Sequence, residues 1–200
     1  MERMRGIAAA MVMGAAMLAT PAGAQAPAPG GGTSADLAKG RAVAMEFQDR
    51  LKQQLLGALN SGGPTLAIGV CKEAAPTIAR EIGARTGTTV WRVSLKARNP
   101  KGRPDAWEAA TLEHFATQRA AGADPAGLEA VTATDGPQGR SVRMLKAIPM
   151  AEMCTQCHGR TIAPEVAARI AEAYPQDTAT GYAPGEIRGA VSVSWTETRP

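Results

Sequence analysis

The feature that most constrains this chain is a pair of cysteines followed at once by a histidine, in the segment Cys154-Thr155-Gln156-Cys157-His158. This C-x-x-C-H spacing is the attachment pattern of c-type haem. The two thiols lie about one helical turn apart, so each can add to one haem vinyl group, and His158 can give a ring nitrogen to the iron. The motif predicts one covalent haem c per chain, bound through Cys154 and Cys157, with His158 as the first axial ligand.

Two other uses of a C-x-x-C pair fit the sequence less well. A thioredoxin-like redox pair follows a strand within a βαβ unit, and the pattern of elements around Cys154 predicts no such unit. A structural zinc site needs a fourth ligand, and it would have no use for the export signal described next.

Residues 1–24 are predicted to be a signal peptide. Arg3 and Arg5 form a basic start, residues 7–19 form an apolar run, and Ala22-Gly23-Ala24 is an A-x-A cleavage site. The apolar run is too short for a confident membrane span, and no later run approaches one. We therefore expect cleavage after Ala24 and a periplasmic protein without a membrane span. A retained signal anchor is the alternative.

The chain of 200 residues is long enough for one domain with its own core. Residues 25–34, QAPAPGGGTS, are predicted to be a disordered linker, and residues 35–200 a single haem c domain. The net charge is +4, with the basic residues scattered singly, so we expect no nucleic-acid partner. No Ser/His/Asp set, phosphate loop or paired carboxylates with a pocket pattern occur, and we expect no enzymatic activity.

Hydrophobic periodicity predicts helices first and strands later. The predicted helices cover residues 36–60, 64–82, 105–119 and 164–174, with Ser34 as the first cap, a break at Ser61-Gly62-Gly63-Pro64, and Gly83 ending the second helix. The predicted strands cover residues 88–95, 128–132, 142–148 and 187–195, the middle two forming a hairpin. This order predicts an α+β fold with helices on one side of an antiparallel sheet.

The second axial ligand decides what a haem protein can do, and the sequence alone leaves four kinds of candidate. Cys71 is the odd one of three cysteines in an exported chain. His114 is the only other histidine, and the methionines Met144, Met150 and Met153 form a third group. An open or water-filled position is the fourth. A buried cysteine or methionine can equally be an ordinary apolar core residue.

Basic and aromatic residues cluster between the predicted first strand and third helix. The basic ones are candidates for binding the haem propionates, because guanidinium groups bind carboxylates well; they are Arg92, Lys96, Arg98 and Arg103. A solvated strand edge is the alternative explanation. Trp91 and Trp107 are expected to pack in the core or against the haem.

Four stretches, in this order, resemble the cyanobacterial-type haem c domain family, which has a PAS-like fold. The first is Ala67-Ile68-Gly69-Val70-Cys71 with Ala75-Pro76. The second is Arg92-Val93-Ser94-Leu95-Lys96-Ala97-Arg98-Asn99-Pro100 with Pro104-Asp105-Ala106-Trp107-Glu108. The third is Cys154-Thr155-Gln156-Cys157-His158-Gly159. The last comprises Tyr174-Pro175-Gln176-Asp177, Gly181-Tyr182 and Gly185-Glu186-Ile187-Arg188-Gly189-Ala190.

The resemblance implies a sheet of about five strands flanked by helices, and haem c with His158 and Cys71 as axial ligands. Redox or gas sensing and electron transfer have both been proposed for the family. No kinase, cyclase or transmembrane output segment accompanies the motif, so a sensor would need a separate redox or signalling partner. We expect a redox or diatomic-gas sensor, with a soluble electron carrier of fixed His/Cys ligation as the alternative. A peroxidase-type enzyme would need distal acid/base residues that are not evident.

Overall fold

The α+β class predicted from the sequence is confirmed. The computed structural model describes residues 30–198, and the predicted signal peptide and residues 25–29 lie outside them. The α-helices are α1 Ser34–Gly69, α2 Ala75–Thr86, α3 Ala106–Ala120, α4 Thr155–His158 and α5 Pro164–Ala173. The strands are β1 Thr89–Val93, β2 Glu129–Gly136, β3 Gly139–Pro149 and β4 Ile187–Glu197. They form one antiparallel sheet in the order β1-β4-β3-β2.

Among residues 30–198 the sheet has four strands, not the five implied by the resemblance. All four strands overlap segments that were predicted to be strands. The predicted hairpin is formed by β2 and β3, which close where Gly136 pairs with Gly139. The long connection from β3 to β4 holds α4, α5 and loops instead of a further strand. Its extended backbone forms only an isolated bridge between Gly159 and Tyr182 in the part of the chain that the structure describes.

Helices cover both faces of the sheet, which corrects the prediction that they lie on one side. On one face α1 and α2 pack Phe47 and Ile82 against strand residues such as Val193. On the other face α3 packs Leu112 and Phe115 against the sheet. The reason is that neighbouring residues of β3 and β4 are apolar on both faces, so each face needs a cover to remove it from water.

Hydrogen bonds attach the start of α1 to the first residues of β3. The cap is Thr33 rather than the predicted Ser34: the Asp36 backbone N–H donates to Thr33 Oγ1 at 3.1 Å, and the Thr33 backbone N–H donates to Asp36 Oδ2 at 2.7 Å. Arg140 of β3 donates to Asp36 Oδ2 at 2.5 Å and to the Gly31 carbonyl at 2.9 Å. Residues 30–33, the end of the predicted linker, therefore lie against the sheet.

The helical segment around Cys71 is irregular. The predicted break is present, because Gly62 and Gly63 depart from helical backbone angles. After it, the chain forms a π-helical turn over Val70–Ala74 before α2 begins. The helix continues past the predicted stop at Gly83 to Gly87, whose φ of 68° is the left-handed value that favours glycine at a C-cap. Cys71 thus lies within a π-helical turn, a feature that often marks functional sites.

Candidate functional site

The C-x-x-C-H motif lies shortly after β3, the strand that forms the long pairing with β4. Beyond Pro149 the chain makes a 3₁₀ turn over Glu152–Cys154 and then forms the short helix α4, Thr155–His158. Cys154 and Cys157 are free, half-buried thiols on this continuous turn. The local backbone therefore presents the two thiols about one turn apart, as the haem attachment pattern requires.

A small apolar cluster attaches the motif to α1. Cys157 packs against a core made by Ile68 of α1, Val166 and Ile170 of α5, and Tyr174 just after α5. Ile68 lies only three residues before Cys71 in the chain. The cluster therefore brings the motif to the part of the helical segment that contains the π-helical turn.

Cys71 and the motif lie within electrostatic reach of each other. Burial raises the pKa of the Cys157 thiol, and negative charge on Cys71 raises it further, against the lowering effect of Arg98. Burial also raises the pKa of Tyr174 to about 12, with Cys71 as the next largest cause. Arg92 of β1 donates from Nη2 to the Cys71 carbonyl at 3.4 Å. These effects and the Arg92 contact indicate that the Cys71 segment lies near Cys157 and Tyr174.

The imidazole of His158 is neutral and oriented. Burial lowers its pKa to about 2, and the positive charges of Arg188 and Arg98 contribute. Its Nδ1 lies 2.7 Å from the Ala179 carbonyl and 3.2 Å from Nε of Arg188. A carbonyl can only accept, so the shorter contact requires a proton on Nδ1, and the two contacts exclude each other as hydrogen bonds. With Nδ1 protonated, Nε2 carries the lone pair needed by a metal.

Positive charge at the site exceeds negative charge. Arg98 is paired with Asp177, whereas Arg92 and Arg188 form no ion pair with any residue between 30 and 198. Arg188 donates from Nη1 to Ser94 Oγ at 2.8 Å and to the Lys96 carbonyl at 3.2 Å, both neutral acceptors. Burial lowers the pKa of Arg188, and the charges of Arg98 and Arg92 add to this effect. Two half-buried guanidinium groups without carboxylates fit the two propionates of a haem.

The other residues predicted to bind the propionates or to pack against the haem make different contacts. Lys96 lies over the ring of Tyr182 at 5.0 Å, and Arg103 is exposed. Trp91 donates from its indole to the Lys101 carbonyl at 2.8 Å. Trp107, one of the predicted cofactor-binding residues, packs in the core on the α3 face under Arg143, 4.8 Å from the ring centre. The structure therefore does not bring Trp107 to Cys71.

The alternative axial ligands lie in other surroundings. His114 is on α3, the helix that covers the opposite face of the sheet from α1 and α2. Met144 is fully buried beneath α1, where a Cβ added to Gly40 would lie 2.8 Å from its side chain. Met150 is 2% exposed, and Met153 is half-buried in the turn before Cys154. Of the candidates, Cys71 follows by three residues Ile68, a member of the cluster against which Cys157 packs.

The residues of the site do not form a bare-metal centre. Within residues 30–198, no three His, Cys, Asp or Glu side chains converge closely enough to hold a metal ion. Cys71 lies on a different element from the motif. A structural zinc ion would need four ligands at one point, and the described residues do not supply them.

Sequence reasoning missed several residues of the site. Asp177, Ala179 and Arg188 contact Arg98 or His158, yet none was singled out. Asp177 and Arg188 belong to the last resembling stretch, which is the signal that could have drawn attention to them. Their roles depend on contacts between distant parts of the chain, which spacing in the sequence does not reveal.

These features define an α+β protein whose C-x-x-C-H motif packs against the helical segment that contains Cys71. Comparison with known proteins gives the family. The sequence model of the Tll0287-like family, described as Tll0287, matches residues 17–196. The chain belongs to the Tll0287-like family, which confirms the resemblance drawn from the sequence.

A solved structure supports the same conclusion. The chain is similar to the crystal structure of the cyanobacterial heme-protein Tll0287, with a TM-score of 0.57 and 25% sequence identity. The match covers 84% of this chain and 99% of that chain. No curated protein matches the chain.

Proposed function

We propose that this chain is a c-type haem protein in which Cys154 and Cys157 bind the haem and His158 and Cys71 are the axial ligands. The observation that supports the proposal is that Ile68, three residues before Cys71, belongs to the apolar cluster against which Cys157 packs. The description of Tll0287 as a heme-protein supports it. A bound haem would supply an iron centre that takes up and releases one electron.

The surrounding residues have distinct tasks in this proposal. His158 offers Nε2 to the iron because its Nδ1–H is held by the Ala179 carbonyl. Arg188 and Arg92 bind the propionates, since neither has a carboxylate partner among the described residues. Arg98 is less suited to this task than predicted, because Asp177 already neutralises it.

The role that we favour is a redox or small-ligand sensor. With haem bound, Cys71 would hold ferric iron as a thiolate and would hold reduced iron less tightly. A π-helical turn is a rare local departure from the α-helix that often occurs at functional sites, and it offers a segment that can rearrange when Cys71 moves. The position left by Cys71 would accept a diatomic gas. A separate redox or signalling partner would detect the resulting change in structure. This role involves no enzymatic activity.

Electron transfer with fixed ligation is the second candidate. The observation that favours it is the dense bonding around His158, where Arg98 and Asp177 tie the motif to the segment that follows α5. A rigid iron environment changes little between oxidation states, which suits a carrier. The two candidates differ in whether Cys71 stays on the iron.

We also propose export to the periplasm, on the basis of the signal peptide predicted from the sequence. Within residues 30–198, no helix combines the length and the apolar character needed to cross a membrane. Mass spectrometry of the protein isolated from a periplasmic fraction should show an N-terminus at Gln25. A mature chain that still contains Arg3 and Arg5 would contradict the cleavage prediction.

The test of the function is absorption spectroscopy of the full chain produced together with a haem c maturation system. We expect covalent haem, a ferric spectrum with thiolate ligation, and formation of a carbon monoxide complex after reduction. Carbon monoxide binding with loss of the thiolate supports the sensor. An unchanged six-coordinate ferrous spectrum in carbon monoxide supports the carrier, and the absence of covalent haem contradicts both.

A further inference from the structure

A buried ion pair lies directly behind the motif. Arg98, in the segment after β1, binds Asp177, in the segment after α5, with Nε to Oδ1 at 3.1 Å and Nη2 to Oδ2 at 3.2 Å. The two side chains are only 10% and 9% exposed. The pair joins two segments that are far apart in the sequence, and both of them adjoin α4.

Each member of the pair also binds the backbone that contacts His158. Asp177 Oδ1 accepts the Ala179 backbone N–H at 2.9 Å. Arg98 Nη2 donates to the Ala179 carbonyl at 3.4 Å and to the Cys157 carbonyl at 2.5 Å. The Ala179 carbonyl is the group that accepts from Nδ1 of His158 at 2.7 Å. The ion pair therefore fixes both the peptide before His158 and the carbonyl that orients the imidazole.

The same segment has a second attachment to the motif through the backbone. The Tyr182 N–H donates to the His158 carbonyl at 3.0 Å, and the Gly181 N–H donates to the Gly159 carbonyl at 2.9 Å. These bonds hold the segment near α4, but they do not orient the Ala179 carbonyl. That orientation depends on Asp177 and Arg98.

We infer that Arg98 and Asp177 are a positioning pair for His158: they hold the Ala179 carbonyl against Nδ1–H and so keep the imidazole directed at the iron. This inference rests on the proposed haem function. It assigns Arg98 a task other than the propionate binding predicted from the sequence. Groups that orient a metal-binding histidine in this way typically change affinity or activity 10–100-fold when they are removed.

The test measures how fast the Nδ1 proton of His158 exchanges with deuterium in the haem-loaded full chain. The proton is followed by NMR in wild type, Asp177→Asn and Arg98→Met. We expect exchange at least about tenfold faster in both variants, because each loses part of the support of the Ala179 carbonyl. Arg98→Lys keeps the charge but cannot form the forked contacts, and it should give an intermediate rate.

The two main variants separate positioning from charge. Asp177→Asn removes a negative charge and Arg98→Met removes a positive one, so an effect of charge alone would change the exchange rate in opposite directions. If the two residues act as a positioning pair, the exchange rate rises in both variants. The matched control is Asp36→Asn, which removes another Arg–Asp pair, with a buried carboxylate, at the start of α1 and should leave the exchange rate unchanged.

The outcomes distinguish this inference from the haem function itself. Covalent haem in wild type with an exchange rate within about twofold of wild type in Asp177→Asn and Arg98→Met overturns the positioning pair alone. A wild-type chain without covalent haem overturns the haem function and the inference with it. If the two main variants do not fold, Arg98→Lys decides the question: the intermediate rate supports the pair, and the wild-type rate overturns it.

Discussion

The two faces of the sheet are built differently, although helices cover both. On the α3 face the helix is regular and starts with a capping box between Asp105 and Glu108. On the other face, the helical segment bends at Gly62 and Gly63 and then forms the π-helical turn that contains Cys71. The irregular backbone contains Cys71, the residue that we propose as an axial ligand. The comparison teaches that departures from regular helix are confined here to the face that bears the proposed site.

The largest effect is expected when the thiols of the motif, on the side of the irregular helical segment, are removed. A Cys154→Ala, Cys157→Ala double variant should lose all covalently bound haem, because no thioether can form. Denaturing gels stained for haem peroxidase activity should show a band for wild type and none for the variant. The control is Cys71→Ser, which should keep the stained band. A double variant that retains stained haem would contradict the attachment sites.

The next test compares a ligand candidate from each face. Cys71→Ser should abolish the thiolate signature in the ferric absorption and electron paramagnetic resonance spectra. It should also raise the reduction potential by on the order of 0.1 V, since axial ligands dominate that quantity. His114→Ala, on α3, should leave both unchanged. The assignment of Cys71 fails if its variant keeps the wild-type spectrum while His114→Ala loses it.

A smaller effect is expected from two arginines that each lie over an aromatic ring. Arg188 lies over Tyr182 at 5.4 Å beside His158, and Arg143 lies over Trp107 at 4.8 Å on the α3 face. With haem bound, the positive charge of Arg188 would favour the reduced iron, and Arg188→Gln removes that charge. This effect should be smaller than that of an axial ligand, because the charge acts through space in a medium with an effective dielectric constant of ~20. The potential should therefore fall in Arg188→Gln. Redox titration of Arg143→Gln should give the wild-type potential, and equal shifts in both variants would contradict this role for Arg188.

The smallest effect on the site is expected from Asp36. The hydrogen bond from Arg140 holds the pKa of this carboxyl well below its ordinary value of 3.8. A lowered pKa stabilises the fold above pH 3.8, and this contribution is lost as the pH falls toward the folded-state pKa. Asp36→Asn should lower the free energy of unfolding by about 1–2 kcal/mol at pH 7 and remove part of the acid sensitivity below pH 4. Denaturant titrations at several pH values check this, and the haem spectrum should not change.

Local features of the fold could be predicted from the sequence. The break at Gly62 and Gly63 follows from backbone chemistry, and the four strands follow from alternating apolar residues. The predicted end of α2 was wrong, because a contact with a residue outside the helix decides why Gly83 is a glycine. Gly83 looked like a helix end, but a Cβ there would lie 2.5 Å from the Thr88 carbonyl, so this glycine allows close packing within a continuing helix.

The site was only partly predictable for the same reason. The motif cysteines and His158 form a local pattern, and Cys71 could be proposed from cysteine count and resemblance. The ion pair of Arg98 with Asp177 and the contact of Arg188 with His158 form between segments far apart in the chain. The π-helical turn is also invisible to periodicity, because a single extra residue in a turn leaves the apolar stripe nearly intact on either side.

That turn also bears on which changes of length this segment can accept. A π-helical turn holds one residue more than an α-helical turn. Deleting Lys72 would therefore leave a regular helix and keep Ile78 and Ile82, which are 4% and 0% exposed, in the core. A deletion within α2 before Ile78 would instead rotate these two residues by about 100° and move them out of the core. The backbone around Cys71 can thus change by one residue without loss of the packing of α2.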